Sequence, residues 1–102
     1  MGLNYNISNN VDKLVIDLNG DLDAYASDDF KNEVIKSLDT PKDIIFDATG
    51  LDFIDSTGLG SLISIYNKIK EEEKSITIKN IKSNVKKIFE ITELDKVFNI
   101  VE

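Results

Sequence analysis

Ile44-Ile45-Phe46-Asp47-Ala48-Thr49-Gly50-Leu51-Asp52-Phe53-Ile54-Asp55-Ser56-Thr57-Gly58-Leu59-Gly60 passes from an apolar run, through a polar stretch, into the start of a helix. Ile44, Ile45 and Phe46 form a short continuous apolar run ending at Asp47, the pattern of a strand covered on both faces. Ala48 to Asp55, with Thr49-Gly50 inside it, reads as a loop. Beyond it, Leu59, Leu62, Ile63, Tyr66 and Ile69 recur at helical spacing and mark one apolar face, and the run Lys68 to Lys74 reads as a solvated helix end. Ile76 and Ile78, with Thr77 between them, then supply a second strand, so the centre of the chain is a strand–helix–strand unit.

The flanks extend this unit. Upstream, Tyr5 and Ile7 alternate with Asn4, Asn6 and Ser8, and Leu14, Ile16 and Leu18 alternate with Lys13, Val15 and Asp17. Asn9-Asn10-Val11-Asp12 between them is turn chemistry, so the two runs form a β-hairpin whose second strand is closed by Gly20. Phe30, Val34, Ile35 and Leu38 follow at helical spacing. Ser27 is the expected N-cap, Asp28 and Asp29 suit the positive dipole end, and Thr40-Pro41 ends the segment. Downstream, Val85, Ile88 and Phe89 predict a third helix and Val97 to Val101 a final edge strand. The order is β-β-α-β-α-β-α-β, an α/β fold with a small, mixed, mostly parallel sheet and packed helices, because parallel neighbours require right-handed crossovers. At 102 residues this is one domain, residues 1–102, without repeat or linker.

Composition removes whole classes of function. There is no histidine and no cysteine, so imidazole bases, thiolate nucleophiles, disulfides and the usual zinc ligands are absent, and no metal or other cofactor is expected. A formal net charge of −7, without a large Lys/Arg cluster, repels phosphate backbones, so no direct nucleic-acid partner is expected. No run approaches the ~18 apolar residues of a membrane span, and the N-terminus lacks a basic or apolar leader, which predicts a soluble, cytoplasmic protein with no membrane partner. Met1-Gly2 begins a myristoylation motif, but Asn6 stands where that motif needs Ser or Thr.

The chemistry concentrates where the loop meets the second helix. Sites in open α/β sheets collect at this strand edge. Ser56 or Asp55 can cap the helix, and Gly58 and Gly60 strip side chains from its first turn, so that another surface can approach the backbone. The same spacing equally fits a plain cap with two glycines packed on a neighbouring strand. An anion on Ser56 would sit where the helix dipole and unpaired N–H groups favour it. A phosphate there would add about −1.5 to −2 charges beside Asp55, with Asp52, Asp47, Asp21 and Asp23 expected nearby, and a partner matched to the unmodified face would be repelled.

Gly20-Asp21-Leu22-Asp23 after a strand, Phe53 through Gly60, and Lys86-Lys87-Ile88-Phe89 through Leu94 together resemble the STAS domain, the fold named for sulphate transporters and anti-sigma factor antagonists. The likeness spans essentially the whole chain. Asp55-Ser56-Thr57-Gly58-Leu59-Gly60 is similar to the phosphorylation loop of the soluble antagonists, which implies that Ser56 is the phosphate acceptor and Thr57 the secondary hydroxyl. Asp23 falls where the family carries an aspartate near that serine, and Asp21, Asp55, Gly58, Leu59 and Gly60 complete the implied neighbourhood. The resemblance implies an anti-sigma factor antagonist, without catalytic activity of its own. An anti-sigma factor with serine kinase activity would bind the unmodified form, releasing its sigma factor, and would end the binding by phosphorylating Ser56. A metal-dependent serine phosphatase would restore it.

Other readings compete. A STAS scaffold or sensor module of a larger signalling assembly, or a piece of a transporter, would share the fold; the undecorated chain beginning at Met1 with an intact acceptor serine favours the antagonist. Asp21-Leu22-Asp23-Ala24 after a strand echoes the paired aspartates of haloacid-dehalogenase-type phosphotransferases, with magnesium. Gly20 interrupts that junction, however, and no downstream lysine and acidic pair follow. Asp47 at a strand end echoes a receiver phosphoacceptor, yet the chain opens with a hairpin rather than with that family's acidic pair. Gly58-Leu59-Gly60 echoes a dinucleotide fingerprint whose third glycine is replaced by Ile63, which leaves nucleotide binding a weak suggestion.

Overall fold

The computed structural model describes residues 2–101, so the expected domain limits Met1 and Glu102 lie outside the described residues. Five strands and three helices follow the expected order: β1 (Leu3–Asn9), β2 (Lys13–Leu22), α1 (Ser27–Ser37), β3 (Asp43–Ile54), α2 (Ser56–Asn67), β4 (Ile76–Lys79), α3 (Ser83–Ile91) and β5 (Asn99–Val101). The sheet order is β1-β2-β3-β4-β5, with β1 antiparallel to β2 and every other pair parallel. Short 3-10 turns at Lys70–Glu72 and Leu94–Lys96 follow α2 and precede β5. The last strand is therefore shorter than the expected Val97–Val101.

Register explains the core. Leu14, Ile44 and Ile76 stand side by side across three strands, as do Ile16, Phe46 and Ile78, and all six are buried. Phe30 and Val34 of α1, Leu59, Leu62 and Ile65 of α2, and Val85 and Phe89 of α3 join them in one cluster. Burying each of these large side chains stabilises the fold by about 1.5–3 kcal/mol. Edge-to-face aromatic contacts fix the helices: Phe30 meets Tyr5 at 5.2 Å between ring centroids, and Phe98 meets Tyr66 at 5.9 Å and Phe89 at 6.0 Å.

The opposite face of the sheet carries Asn6, Asp17, Asp47 and Lys79 in one row and Ser8, Val15, Ile45 and Thr77 in another, exposed or half-buried. The helices therefore cover one face only. The expectation that Ile44–Phe46 is covered on both faces fails, because Ile45 faces the open side.

The stretch Ala48–Asp55 is not a loop: β3 continues through Ile54. Its pairing with β2 slips between Asp17 and Asn19 and again between Gly20 and Asp21, so β3 fits two extra residues along the same ladder. Such bulges break the two-residue alternation, and here the buried positions fall at Ala48, Leu51 and Ile54. Gly50 is the mark of the first slip, since a Cβ there would lie 1.9 Å from the Asn19 side-chain oxygen. Gly20 does not close β2 either. It sits at φ +104 within the strand, against the backbone of Gly2, and β2 runs on to Leu22.

Two side chains are placed differently from expectation, Ser27 read as the α1 cap and Ile63 read as part of the apolar face of α2. Ser27 lies inside α1 rather than capping it, and its hydroxyl donates to the Asp23 carbonyl at 2.5 Å. Ile63 points outward from α2, while Ile65 and the buried Ser61, which donates to the Gly58 carbonyl at 2.7 Å, face the interior. Among the described residues no helix is long and apolar enough to cross a membrane.

Candidate functional site

Strands β2 and β3 end in register, Leu22 beside Ile54, so the residues that follow each, Asp23 and Asp55, are delivered together at one sheet edge. The Asp55 N–H donates to the Leu22 carbonyl at 3.3 Å and closes the ladder. Asp55 then turns the chain into α2 as its N-cap, with extended backbone angles of −111 and −174. One carboxylate oxygen accepts the Gly58 N–H at 2.9 Å and the Thr57 hydroxyl at 2.6 Å. The other accepts the Ala24 N–H at 3.1 Å, tying α2 to the β2–α1 connection. These bonds, the Thr57 hydroxyl foremost and the Gly58 N–H next, hold the Asp55 carboxyl below the usual carboxylate range against a smaller opposing effect of desolvation.

Asp23 performs the matching task for α1. Its carboxylate accepts the N–H groups of Tyr25 at 3.1 Å and Ala26 at 3.2 Å, and its carbonyl accepts the Ser27 N–H at 2.9 Å. An aspartate so engaged is a loop-former, which accounts for it without the nucleophile or acid/base role of a phosphotransferase. Asp21 is half-buried opposite Phe53.

Ser56 is the first residue of α2 and is exposed. Among the described residues its hydroxyl makes no hydrogen bond. Because the Gly58 N–H goes to the Asp55 side chain, the Thr57 N–H also points at that carboxylate and the Leu59 N–H goes to the Asp55 carbonyl, the N–H of Ser56 is the one left for an incoming acceptor. Asp55, and not Ser56, is the cap, which frees the serine oxygen for other chemistry.

The two glycines divide the two roles that spacing alone left open. A Cβ on Gly58 would lie 2.3 Å from the Leu22 carbonyl oxygen, so this glycine lets α2 pack on the end of β2. A Cβ on Gly60 would meet nothing within 4 Å, so this one faces open space. Leu59 is 7% exposed and anchors the first turn in the core. The surface of the turn is therefore Ser56, Thr57 and Gly60. Beside it a groove of about 340 Å³ separates α1 from α2, with Ala24, Ser27, Lys31, Gly60 and Ser61 in its walls.

The expected aspartate cluster assembles only in part. Asp47 lies eight residues before Asp55 along an extended strand, on the order of 20–25 Å away. It stands mid-strand rather than at a strand end, as a receiver acceptor would require, and its carboxylate accepts the Thr49 hydroxyl at 2.6 Å and the Asn80 amide at 3.2 Å. Asp52 is nearer, but it is paired with Lys82 in an exposed ion pair, and its carbonyl accepts the Asn84 amide at 3.1 Å, which fastens the start of α3. The acidic edge consists of Asp21, Asp23 and Asp55, flanked by Asp28 and Asp29.

Two apolar side chains border it. Tyr25 is 95% exposed, on a backbone pinned by Asp23 and, through Ala24, by Asp55, and Phe53 is 47% exposed at the end of β3. Phe53 lies within the sequence motif, but Tyr25 escaped notice; the one signal was an aromatic residue in a polar connection just before a helix.

The sequence profile of the STAS domain matches residues 3–102. The chain belongs to the STAS domain family. An anti-sigma-B factor antagonist of Bacillus subtilis is 21% identical to this STAS chain over 100 residues, spanning 98% of it and 92% of the relative. Among solved structures, the anti-sigma factor antagonist SpoIIAA in its unphosphorylated form superposes with a TM-score of 0.84 at 20% identity, over 97% of this chain and 89% of that one. The Bacillus cell fate determinant SpoIIAA in its phosphorylated form gives 0.75 at 19% identity, over 97% and 92%. The STAS fold expected from the motifs is thus the observed one, with β1 antiparallel and the remaining pairs parallel.

Proposed function

We propose that this STAS protein is an anti-sigma factor antagonist, a binding module whose partner is set by the state of one hydroxyl. In the unmodified state the edge around Ser56 docks an anti-sigma factor, which releases its sigma factor. That anti-sigma factor is also the serine kinase, and it ends the complex by placing a phosphate on Ser56. A metal-dependent serine phosphatase removes the phosphate and restores docking. The chain is substrate and ligand throughout, so it supplies no catalytic group.

The observation that carries this reading is the exposed, unbonded Ser56 hydroxyl on the first residue of α2. The unpaired Ser56 N–H and the helix dipole tolerate an anion there, so modification leaves the fold standing. A docked protein does not tolerate it. A phosphate adds roughly −1.5 to −2 charges to an edge already carrying Asp21, Asp23 and Asp55, and burying that charge under a partner without a matching cation is costly. The names of the relatives and of the structural neighbours support the same assignment.

Incubation with ATP, magnesium and the serine kinase of a source-cell extract tests it, with intact mass and peptide mapping as the readout. One added phosphate, on Ser56 and abolished in Ser56→Ala, is the expected outcome. Modification elsewhere with Ser56 untouched would reject the assignment.

A further inference from the structure

We infer that Asp55 selects the phosphate acceptor, holding the Thr57 hydroxyl out of the reaction and leaving Ser56 as the nucleophile. This inference deepens the phosphate-switch reading above and rests on it. Ser56 and Thr57 are adjacent and both exposed on the first turn of α2, so a kinase that docks there meets two hydroxyls. Only one of them is engaged. The Thr57 hydroxyl donates to Asp55 Oδ1 at 2.6 Å, and that oxygen also accepts the Gly58 N–H at 2.9 Å. With Oδ2 on the Ala24 N–H at 3.1 Å, the carboxylate cannot swing aside without uncapping α2 and releasing the β2–α1 connection.

The transfer itself shows why this matters. A hydroxyl oxygen attacks the γ-phosphorus of ATP; the new O–P bond forms as the bond to the β-phosphate oxygen breaks, ADP leaves, and the hydroxyl proton passes to a base of the kinase. For Thr57 that proton is already bonded to Asp55, and the arriving phosphoryl oxygens would crowd a carboxylate lying 2.6 Å from the attacking atom. Placing the phosphoryl charge beside that carboxylate opposes the transfer. Asp55 is also a poor proton acceptor on its own account, because the bonds it receives hold its carboxyl below the usual range. Ser56 meets neither obstacle.

Asp55 is thus a positioning residue, and its signature is the choice of site rather than stability. The test compares the parent, Ser56→Ala, Ser56→Ala/Asp55→Asn and Ser56→Ala/Asp55→Ala, each incubated with ATP, magnesium and the serine kinase of a source-cell extract and mapped by mass spectrometry. The parent should carry phosphate on Ser56 and Ser56→Ala almost none on Thr57. The Asp55→Ala double variant should raise Thr57 phosphate roughly tenfold or more, the factor lost with one hydrogen bond to a charged acceptor. Asp55→Asn, which keeps a capping oxygen but no charge, should raise it by less, and carries the test if the alanine variant fails to fold. Equal Thr57 modification with and without Asp55, or folded double variants unmodified at Thr57 while the parent is modified at Ser56, would overturn the role of Asp55 alone. A parent that takes no phosphate on Ser56 would defeat the switch and this inference together.

Discussion

Replacing each of the two glycines in the first turn of α2 by alanine should shift stability in opposite directions. At Gly58 the new methyl carbon would lie 2.3 Å from the Leu22 carbonyl oxygen and 2.8 Å from Ile54 Cγ1. An ordinary contact begins near 3.4 Å, so helix or strand must move by about 1 Å. The Leu22 oxygen is backbone and accepts the Asp55 N–H, so it cannot rotate away. Overpacking of this kind costs about 1–3 kcal/mol, and the forced movement of backbone places this case at the upper end. Alanine returns at most about 1 kcal/mol in helix propensity, leaving a net loss of roughly 1–2 kcal/mol. At Gly60 no atom lies within 4 Å of the added carbon, so only the propensity gain of about 0.5–1 kcal/mol applies. At roughly 4–8 °C per kcal/mol for a domain of this size, Gly58→Ala should melt about 5–15 °C below the parent and Gly60→Ala a few degrees above it. Thermal melts followed by circular dichroism, repeated in urea, measure both. A Gly58→Ala protein that melts at or above the parent would refute the argument that this glycine exists for the contact with β2.

Two further outcomes follow from the geometry. The folded pKa values of Asp55 and Asp47 are depressed, so the stability they contribute is present above the ordinary aspartate value near 3.9 and is lost as pH falls through their lower folded values. Carboxyl NMR titration should place Asp55 below that value and move it upward in Thr57→Val, which removes its foremost hydrogen bond; an unchanged titration would contradict the assigned cause. Lys42, 6% exposed, donates to the Asn9 side chain, donates to the Asn10 carbonyl at 2.9 Å and pairs with Asp39 at 3.0 Å, clamping the β1–β2 turn. Lys42→Met should lower the urea midpoint by an amount equivalent to about 1–2 kcal/mol while Ser56 is phosphorylated as before, because the clamp lies at the opposite sheet edge. An unchanged midpoint would refute the clamp.

The order of elements was legible because hydrophobic period and turn residues agree along most of the chain. The upper half of β3 was not. Thr49-Gly50 carries turn chemistry, and the two bulges space Ala48, Leu51 and Ile54 at three residues, a pattern that neither strand nor helix templates recognise. The open face of the sheet was equally hidden, since Ile45 completes an apolar run whose one-sided burial depends on where all three helices pack. At the candidate site, the junction of Asp55 and Ser56 was legible from residue types at a strand-to-helix boundary. Which of the two caps the helix, which glycine packs inward, and that Asp47 lies far away all depend on tertiary register. The pairing of Asp52 with Lys82 joins residues 30 apart, and no local pattern announces it.

The central claim is that one phosphate on Ser56 abolishes docking without unfolding the protein. Calorimetric titration of the purified anti-sigma factor with the unmodified and the Ser56-phosphorylated protein, alongside a thermal melt of each, measures both halves. The account predicts saturable binding of the unmodified form, no measurable binding of the phosphorylated form, and nearly coincident melts. Equal affinity for the two forms, or a phosphorylated protein that binds poorly because it has unfolded, would contradict it.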